Sequence, residues 1–288
     1  MSFRTVVIKE RAKLDLRMNY LVYRGSEEKQ IFLPEISVLI LESTSISLTS
    51  ALISELVKNN VKIIFCDEKH NPESEVVAYH SNYQSYKKIK EQLSWTQSSK
   101  AHVWQQIIKQ KILTELYILK QNNFVKECEL ITPYVNEIMP GDTTNREGLS
   151  AKIYFNALFG ENFQRRNQSF INSALNYGYS ILLSMFNREV TKNGYLTQIG
   201  IWHKNDYNYF NLSSDLMEPF RAIVDKIVLS LKPEDYDNYK YKLLDMVNIK
   251  LKINNKEQYL ENAISIYCLS VFDSLKNDDI SQIKFYEL

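Results

Sequence analysis

The chain of 288 residues is 44% hydrophobic and 24% charged with a formal net charge of +1, the balance of a globular protein long enough for one large or two modest domains. No stretch approaches the ~20 apolar residues of a membrane span, and Met1 to Glu10 lacks the apolar core of a signal peptide, which points to a soluble, cytoplasmic protein with no membrane partner. Cys66, Cys128 and Cys268 are far apart in apolar surroundings; their odd count and their spacing exclude a disulfide framework and a cysteine metal site, leaving buried reduced thiols.

The first 75 or so residues are β-rich. Runs at 4–10, 13–17, 20–24, 29–34 and 36–43 are short and rich in β-branched and aromatic residues, several with a period of two. Asn19, Gly25 and Ser26 punctuate them. From 47 to 60 the period changes: Leu48, Leu52, Ile53, Leu56 and Val57 share a helical stripe that Thr49 or Ser50 can cap. "VKIIFCD" (61–67) then reads as a buried strand. The expectation is a small sheet with one packed helix, an N-terminal domain over 1–75.

Periodicity is lost between Glu68 and Asn82, where Pro72 breaks any helix and "EVVAY" is a candidate short strand. From 76 to 288 the pattern predicts a larger, all-α domain, with helices near 83–99, 101–123, 124–138, 145–159, 167–187, 214–232, 234–247 and 257–275. The 167–187 helix is apolar nearly all round, as a central buried helix is. A short strand and an Asn254-Asn255 turn precede the last helix. The fold class is therefore α+β: a small β-rich domain followed by a helical one.

Charge is unevenly spread. Between His80 and Lys126 eight lysines face two glutamates, and Tyr83, Tyr86, Trp95 and Trp104 are interleaved among them. Such a segment can track a phosphate backbone, or it can be a solvated face whose aromatics pack inward.

Three side chains suit a hard, oxygen-rich divalent-metal site: Glu147, His203 and Glu218. Thr144-x-x-Glu147 fits a capping box, yet Glu147 also shares a stripe with Ala151, Tyr154 and Leu158, where a carboxylate must be paired, protonated or metal-bound. Asp215 and Glu218 are spaced to share a helix face, though they could equally complement a helix dipole. Pro219 should make the backbone there irregular and release a carbonyl near Asp215. His203 lies in the polar segment after Gly200 and gains meaning only from its company. Residue by residue, structural and ligand readings both stay open.

"NREGLSAKIYFNALFG", "NYGYSILLS", "GIWH" and "SSDLMEPFRAIVDKIV", in this order, resemble the CRISPR-associated integrase, the metal-dependent adaptation nuclease common to CRISPR systems. The N-terminal text is similar to the type II branch. The resemblance implies dimerisation chiefly through the β domains and one Mg²⁺ or Mn²⁺ held by Glu147, His203 and Glu218, the catalytic set, with Asp215 auxiliary. It implies insertion of captured DNA fragments into the CRISPR repeat by transesterification, and no Walker-type loop occurs in the sequence. Tyr177 and Tyr179 fall in the family's "NYGY" segment and are expected chiefly to pack. Arg146, Arg165, Arg166, Lys204 and Arg221 lie around the motifs as candidate phosphate contacts. The implied partners are double-stranded DNA, a second copy of the chain, the small second adaptation protein in a heterohexamer, and the ring-shaped type II adaptation protein with the effector nuclease. A catalytically silent DNA-binding scaffold and a structure-specific nuclease of branched DNA are the alternatives.

Overall fold

Two left-handed residues, Met18 (φ 46°) and Asn19 (φ 64°), close the first hairpin, because a two-residue turn that matches strand twist needs positive φ at both positions. They join β2 (Ala12–Arg17) to β3 (Tyr20–Arg24), and β4 (Glu28–Phe32) extends the meander. The computed structural model describes residues 4–76, 78, 84–235 and 238–287. His80 and Tyr83 of the lysine-rich segment, and Val77 and Tyr79 of the expected "EVVAY" strand, lie outside them.

The chain divides into two compact units, Met1–Tyr83 and Gln84–Leu288. The division falls after the expected 75/76 boundary, because Val76 still donates to Ile63 and packs on the first unit's core. That unit also contains β1 (Arg4–Ile8), β5 (Ile36–Leu41), β6 (Ile46–Leu48), α1 (Ser50–Lys58), β7 (Lys62–Cys66) and β8 (Pro72–Glu75). One sheet runs β1-β5-β7-β8, with β1, β5 and β7 parallel; the other runs β4-β3-β2-β6. Leu48 leaves the expected helix for β6, since Thr49 caps α1 by accepting from Leu52 N–H at 3.3 Å. Leu14, Leu21, Leu33, Ile36, Leu39, Leu52, Leu56 and Ile63 form the fully buried core.

The second unit is built on two long helices, α3 (Gln97–Gln121), which follows α2 (Ser85–Ser94), and α7 (Phe170–Lys192). Thr96 caps α3, placing the break between α2 and α3 before the expected one. Between α3 and α7 lie α4 (Val125–Ile131), α5 (Tyr134–Glu137) and α6 (Arg146–Phe159); Pro133 splits the expected 124–138 helix. Gly178 lets α7 pack closely: a Cβ there would meet Val224 at 2.5 Å. The expected 214–232 helix begins earlier and is broken into α8 (Asn211–Met217), a 3₁₀ turn Glu218–Phe220 and α9 (Arg221–Leu229), the irregularity Pro219 requires. After α10 (Tyr239–Leu244) a hairpin of β9 (Lys250–Ile253) and β10 (Lys256–Tyr259) turns at Asn254 and Asn255, both left-handed. Then α11 (Leu260–Asn277) leads to β11 (Tyr286–Glu287), which pairs with β9. The helical unit thus carries a three-stranded antiparallel sheet and is not all-α. Cys66, Cys128 and Cys268 are buried and in no disulfide. No helix among the described residues is long and apolar enough to cross a membrane.

Candidate active site

Gly200 to His203 wrap around one buried carboxylate. Asp215, on α8 and fully buried, accepts at Oδ2 from the N–H groups of Ile201 (2.6 Å) and Trp202 (2.8 Å), and at Oδ1 from His203 N–H (3.2 Å) and from the His203 ring through Nδ1–H. Gly200 makes this possible, since a Cβ would come 2.6 Å from the His203 carbonyl and 2.7 Å from Asp215 Oδ2. Trp104 of α3 stacks on Trp202 at 6.2 Å and meets the His203 ring edge-on at 5.5 Å. With Nδ1 engaged, Nε2 is the imidazole nitrogen left for a ligand. The hydrogen bond to Asp215 raises the His203 pKa against the opposing effect of burial.

Glu147 enters from α6. The capping-box reading of this residue does not hold. Asn145 (φ 52°) is the N-cap, and Asp142 instead accepts from the N–H groups of Arg146 (2.8 Å) and Glu147 (3.0 Å). Gly141, at φ 74° and within 2.5 Å of the Trp202 ring were it to carry a Cβ, sets the turn that brings Asp142 there. The Glu147 side chain is thereby turned to the cleft, where Lys111 of α3 donates to its Oε1 at 2.6 Å. The same ammonium donates to Glu218 Oε2 at 2.6 Å, and Arg221 donates to Glu218 Oε1 at 2.9 Å. Burial would raise the Glu218 carboxyl, but Arg221 and Lys111 outweigh it and bring it down to about 2. Burial likewise opposes charge on Lys111, and Glu218, Glu147 and Glu115 reverse this, leaving its pKa raised.

These groups line one cleft of about 270 Å³, with Glu115 and Asp225 among its walls. Asp225 is buried, accepting from Tyr154 at 3.1 Å and from Tyr179; Glu115 is buried and accepts from Ser150 at 2.6 Å. Burial pushes Glu115 up to about 7 and Asp225 to about 6. A carboxyl whose folded pKa exceeds its unfolded value stabilises fully below the unfolded value and loses that contribution as pH rises through the folded one. The Glu115 shift from 4.5 to about 7 is worth about 3 kcal/mol, withdrawn across that window. Glu115→Gln keeps a partner for Ser150 and removes the titration. Urea unfolding is expected to show the variant about 2–3 kcal/mol more stable than wild type above pH ~8, with the difference closing below pH ~5.

Among the described residues, no three His, Cys, Asp or Glu side chains stand grouped so as to hold a metal ion in this arrangement. Glu147 and Glu218 nonetheless converge on a single cation, the Lys111 ammonium. Their contacts to it are only about 0.5 Å longer than Mg²⁺–oxygen bonds, and two carboxylates with an anchored imidazole are donors that Mg²⁺ or Mn²⁺ accepts. In chemistry the donor set suits such an ion, and Lys111 occupies the place between the two carboxylates.

The family model described as CRISPR associated protein Cas1 matches residues 5–241. The chain belongs to the Cas1 family. It is 30% identical to the CRISPR-associated endonuclease Cas1 of Neisseria meningitidis serogroup C (strain 8013), over 100% of this chain and 97% of that protein. A solved casposase bound to integration product superposes with a TM-score of 0.75 at 19% identity, covering 98% of this chain and 93% of that one. A chain of a Cas6-RT-Cas1–Cas2 complex matches with a TM-score of 0.73 at 17% identity, over 97% of this chain but 36% of that longer chain.

In this Cas1 protein, Glu147, His203 and Glu218 line one cleft, and Asp215 sits behind His203. Of the five candidate phosphate contacts, Arg165 and Arg221 line the cleft, both over the Tyr179 ring, at 5.3 Å and 4.2 Å. Arg146 is turned away, paired with Glu137 at 2.9 Å and lying over Tyr134; Arg166 and Lys204 are exposed and not among the lining residues. Tyr179 belongs to the site, whereas Tyr177 packs edge-on against Tyr239. The lysine-rich segment is not one basic surface: Trp95 and Trp104 are buried, Lys88 pairs with Glu91, and Lys111 belongs to the cleft. Lys111, Glu115 and Asp225 also line the cleft, outside the residues that the sequence motifs mark. Lys111 and Glu115 share the α3 stripe of Trp104, Ile107 and Ile108, and Asp225 follows Arg221 by one turn, so the rule applied to Glu147, that an acid or base on an apolar stripe needs a partner, would have found them.

Proposed function

We propose that this Cas1 chain is a divalent-metal-dependent DNA endonuclease and integrase that inserts captured fragments into the CRISPR repeat by transesterification. The observation that carries the reading is the convergence of Glu147, Glu218 and an Asp215-anchored His203 on one cleft. Glu147, Glu218 and His203 Nε2 would hold an Mg²⁺ or Mn²⁺ ion, which would offset negative charge on a phosphoryl oxygen and on the attacking or leaving oxygen. Asp215 fixes the imidazole tautomer and ring angle. Arg221, stacked on Tyr179 and paired with Glu218, presents a fixed planar charge to the scissile phosphate's neighbourhood, and Arg165 backs it. A 3′-hydroxyl attacks the phosphodiester, a new ester replaces the old one, and no nucleotide cofactor is consumed.

The assembly belongs to the same proposal. The likeness to a chain of a Cas6-RT-Cas1–Cas2 complex supports the small second adaptation protein as a partner. A heterohexamer with it, and contact with a second copy through the N-terminal unit, are part of the proposal. The ring-shaped type II protein and the effector nuclease are further proposed partners.

The test is joining and cleavage of linear and branched duplex DNA after chelation and after Mn²⁺ add-back. Loss on chelation and recovery with Mn²⁺ are expected, with fragment joined to the repeat. Activity that survives chelation overturns metal dependence. Cleavage of branched DNA without joining would place the protein with structure-specific nucleases, and DNA binding without either reaction would make it a scaffold.

A further inference from the structure

Lys111 has no part in the chemistry above, yet it occupies the centre of the site. Its ammonium lies 2.6 Å from Glu147 Oε1 and 2.6 Å from Glu218 Oε2, with 12% of the side chain exposed. A buried lysine is tolerated only when paired, and here one ammonium serves two acids that would otherwise face each other across a poorly solvated cleft. Lys111 is paired with Glu147 and Glu218, and Arg221 with Glu218. A dication that binds both carboxylates competes for the place of the cation between them and is repelled by one that stays there. Arg221 is doubly anchored, by Glu218 Oε1 and by the Tyr179 face at 4.2 Å. The Lys111 head sits where the dication must go, on a flexible four-carbon stem.

We propose that Lys111 is a positioning residue that acts as an internal cation: it holds Glu147 and Glu218 together in the metal-free protein and swings out into the cleft when a divalent ion binds. There its ammonium meets a DNA phosphate, so metal entry readies the cleft for its substrate. The inference rests on Glu147, His203 and Glu218 being the divalent-ion site. Metal affinity is therefore set by competition: the fraction of molecules with Lys111 seated scales the apparent dissociation constant.

Two measurements on the full chain test this, with Mn²⁺ as the probe. First, free Mn²⁺ is titrated by electron paramagnetic resonance against wild type, Lys111→Met and Glu147→Ala. Lys111→Met is expected to bind about tenfold tighter than wild type, because the seated competitor is gone. Glu147→Ala is expected to lose binding. Second, lysine acylation of folded wild type is read by mass spectrometry with and without Mn²⁺, a readout independent of whether the variant folds. Labelling at Lys111 is expected to rise severalfold with Mn²⁺ while exposed Lys120, on the same helix, stays constant. If wild type binds Mn²⁺ but Lys111→Met binds it no tighter, or Lys111 labelling does not rise, Lys111 is a structural ion pair only and this inference fails alone. If neither wild type nor Lys111→Met binds Mn²⁺, the metal-site reading fails with it.

Discussion

Glu147→Ala is expected to lower strand transfer by about 10³-fold, the several kcal/mol that a correctly held metal ion contributes. Affinity for duplex DNA should stay within about twofold, since backbone phosphates are held by other side chains. His203→Ala is expected to behave alike. Glu218→Ala should add a stability loss of about 3 kcal/mol, because Lys111 and Arg221 both lose a buried counter-charge. The burial values account for the contrast: the Glu147 side chain is 28% exposed and Glu218 only 4%. Joining assays on a fragment and a repeat duplex, beside urea unfolding of each variant, check both effects. Normal joining by all three variants would end the assignment.

Asp215→Ala is expected to destabilise the protein by about 4 kcal/mol, since three loop N–H groups and the His203 imidazole lose their acceptor together. Even under conditions where it folds, joining should fall by about 10–100-fold, the usual consequence of losing the partner that orients a metal-binding histidine. A pH series gives a separate readout. The folded His203 pKa lies above its unfolded value of 6.5, so its contribution to stability is complete below 6.5 and lost as pH rises through the folded value. Without Asp215 that loss should vanish from the unfolding profile above pH ~6.5. An Asp215→Ala protein that keeps wild-type stability and pH profile would show that the Gly200–His203 segment does not depend on the carboxylate.

Asp215 and Glu147 also show how local sequence rules err. The spacing of Asp215 and Glu218 put both acids on one helix face. In the fold one carboxylate is sealed under the Gly200–His203 loop, while the other, at the start of the 3₁₀ turn that contains Pro219, lines the cleft. For Glu147 the Thr144 capping box was a sound local reading. It was displaced by Asp142, brought close through left-handed Gly141 and Asn145. Composition at a cap cannot tell which of several short polar residues will win; the turn geometry decides.

The sequence alone determined the α+β architecture, the change from period-two strands to helices, and the backbone irregularity at Pro219. These follow from short-range rules, because periodicity and turn residues act within a few positions of one another. Only the tertiary structure decided that Lys111 is seated between Glu147 and Glu218, that Glu115 and Asp225 line the same cleft, and that the tryptophans of the lysine-rich segment are core. Those outcomes pair residues 36 and 107 positions apart. Which long-range partner satisfies a buried charge is settled when helices pack, and no local pattern records it.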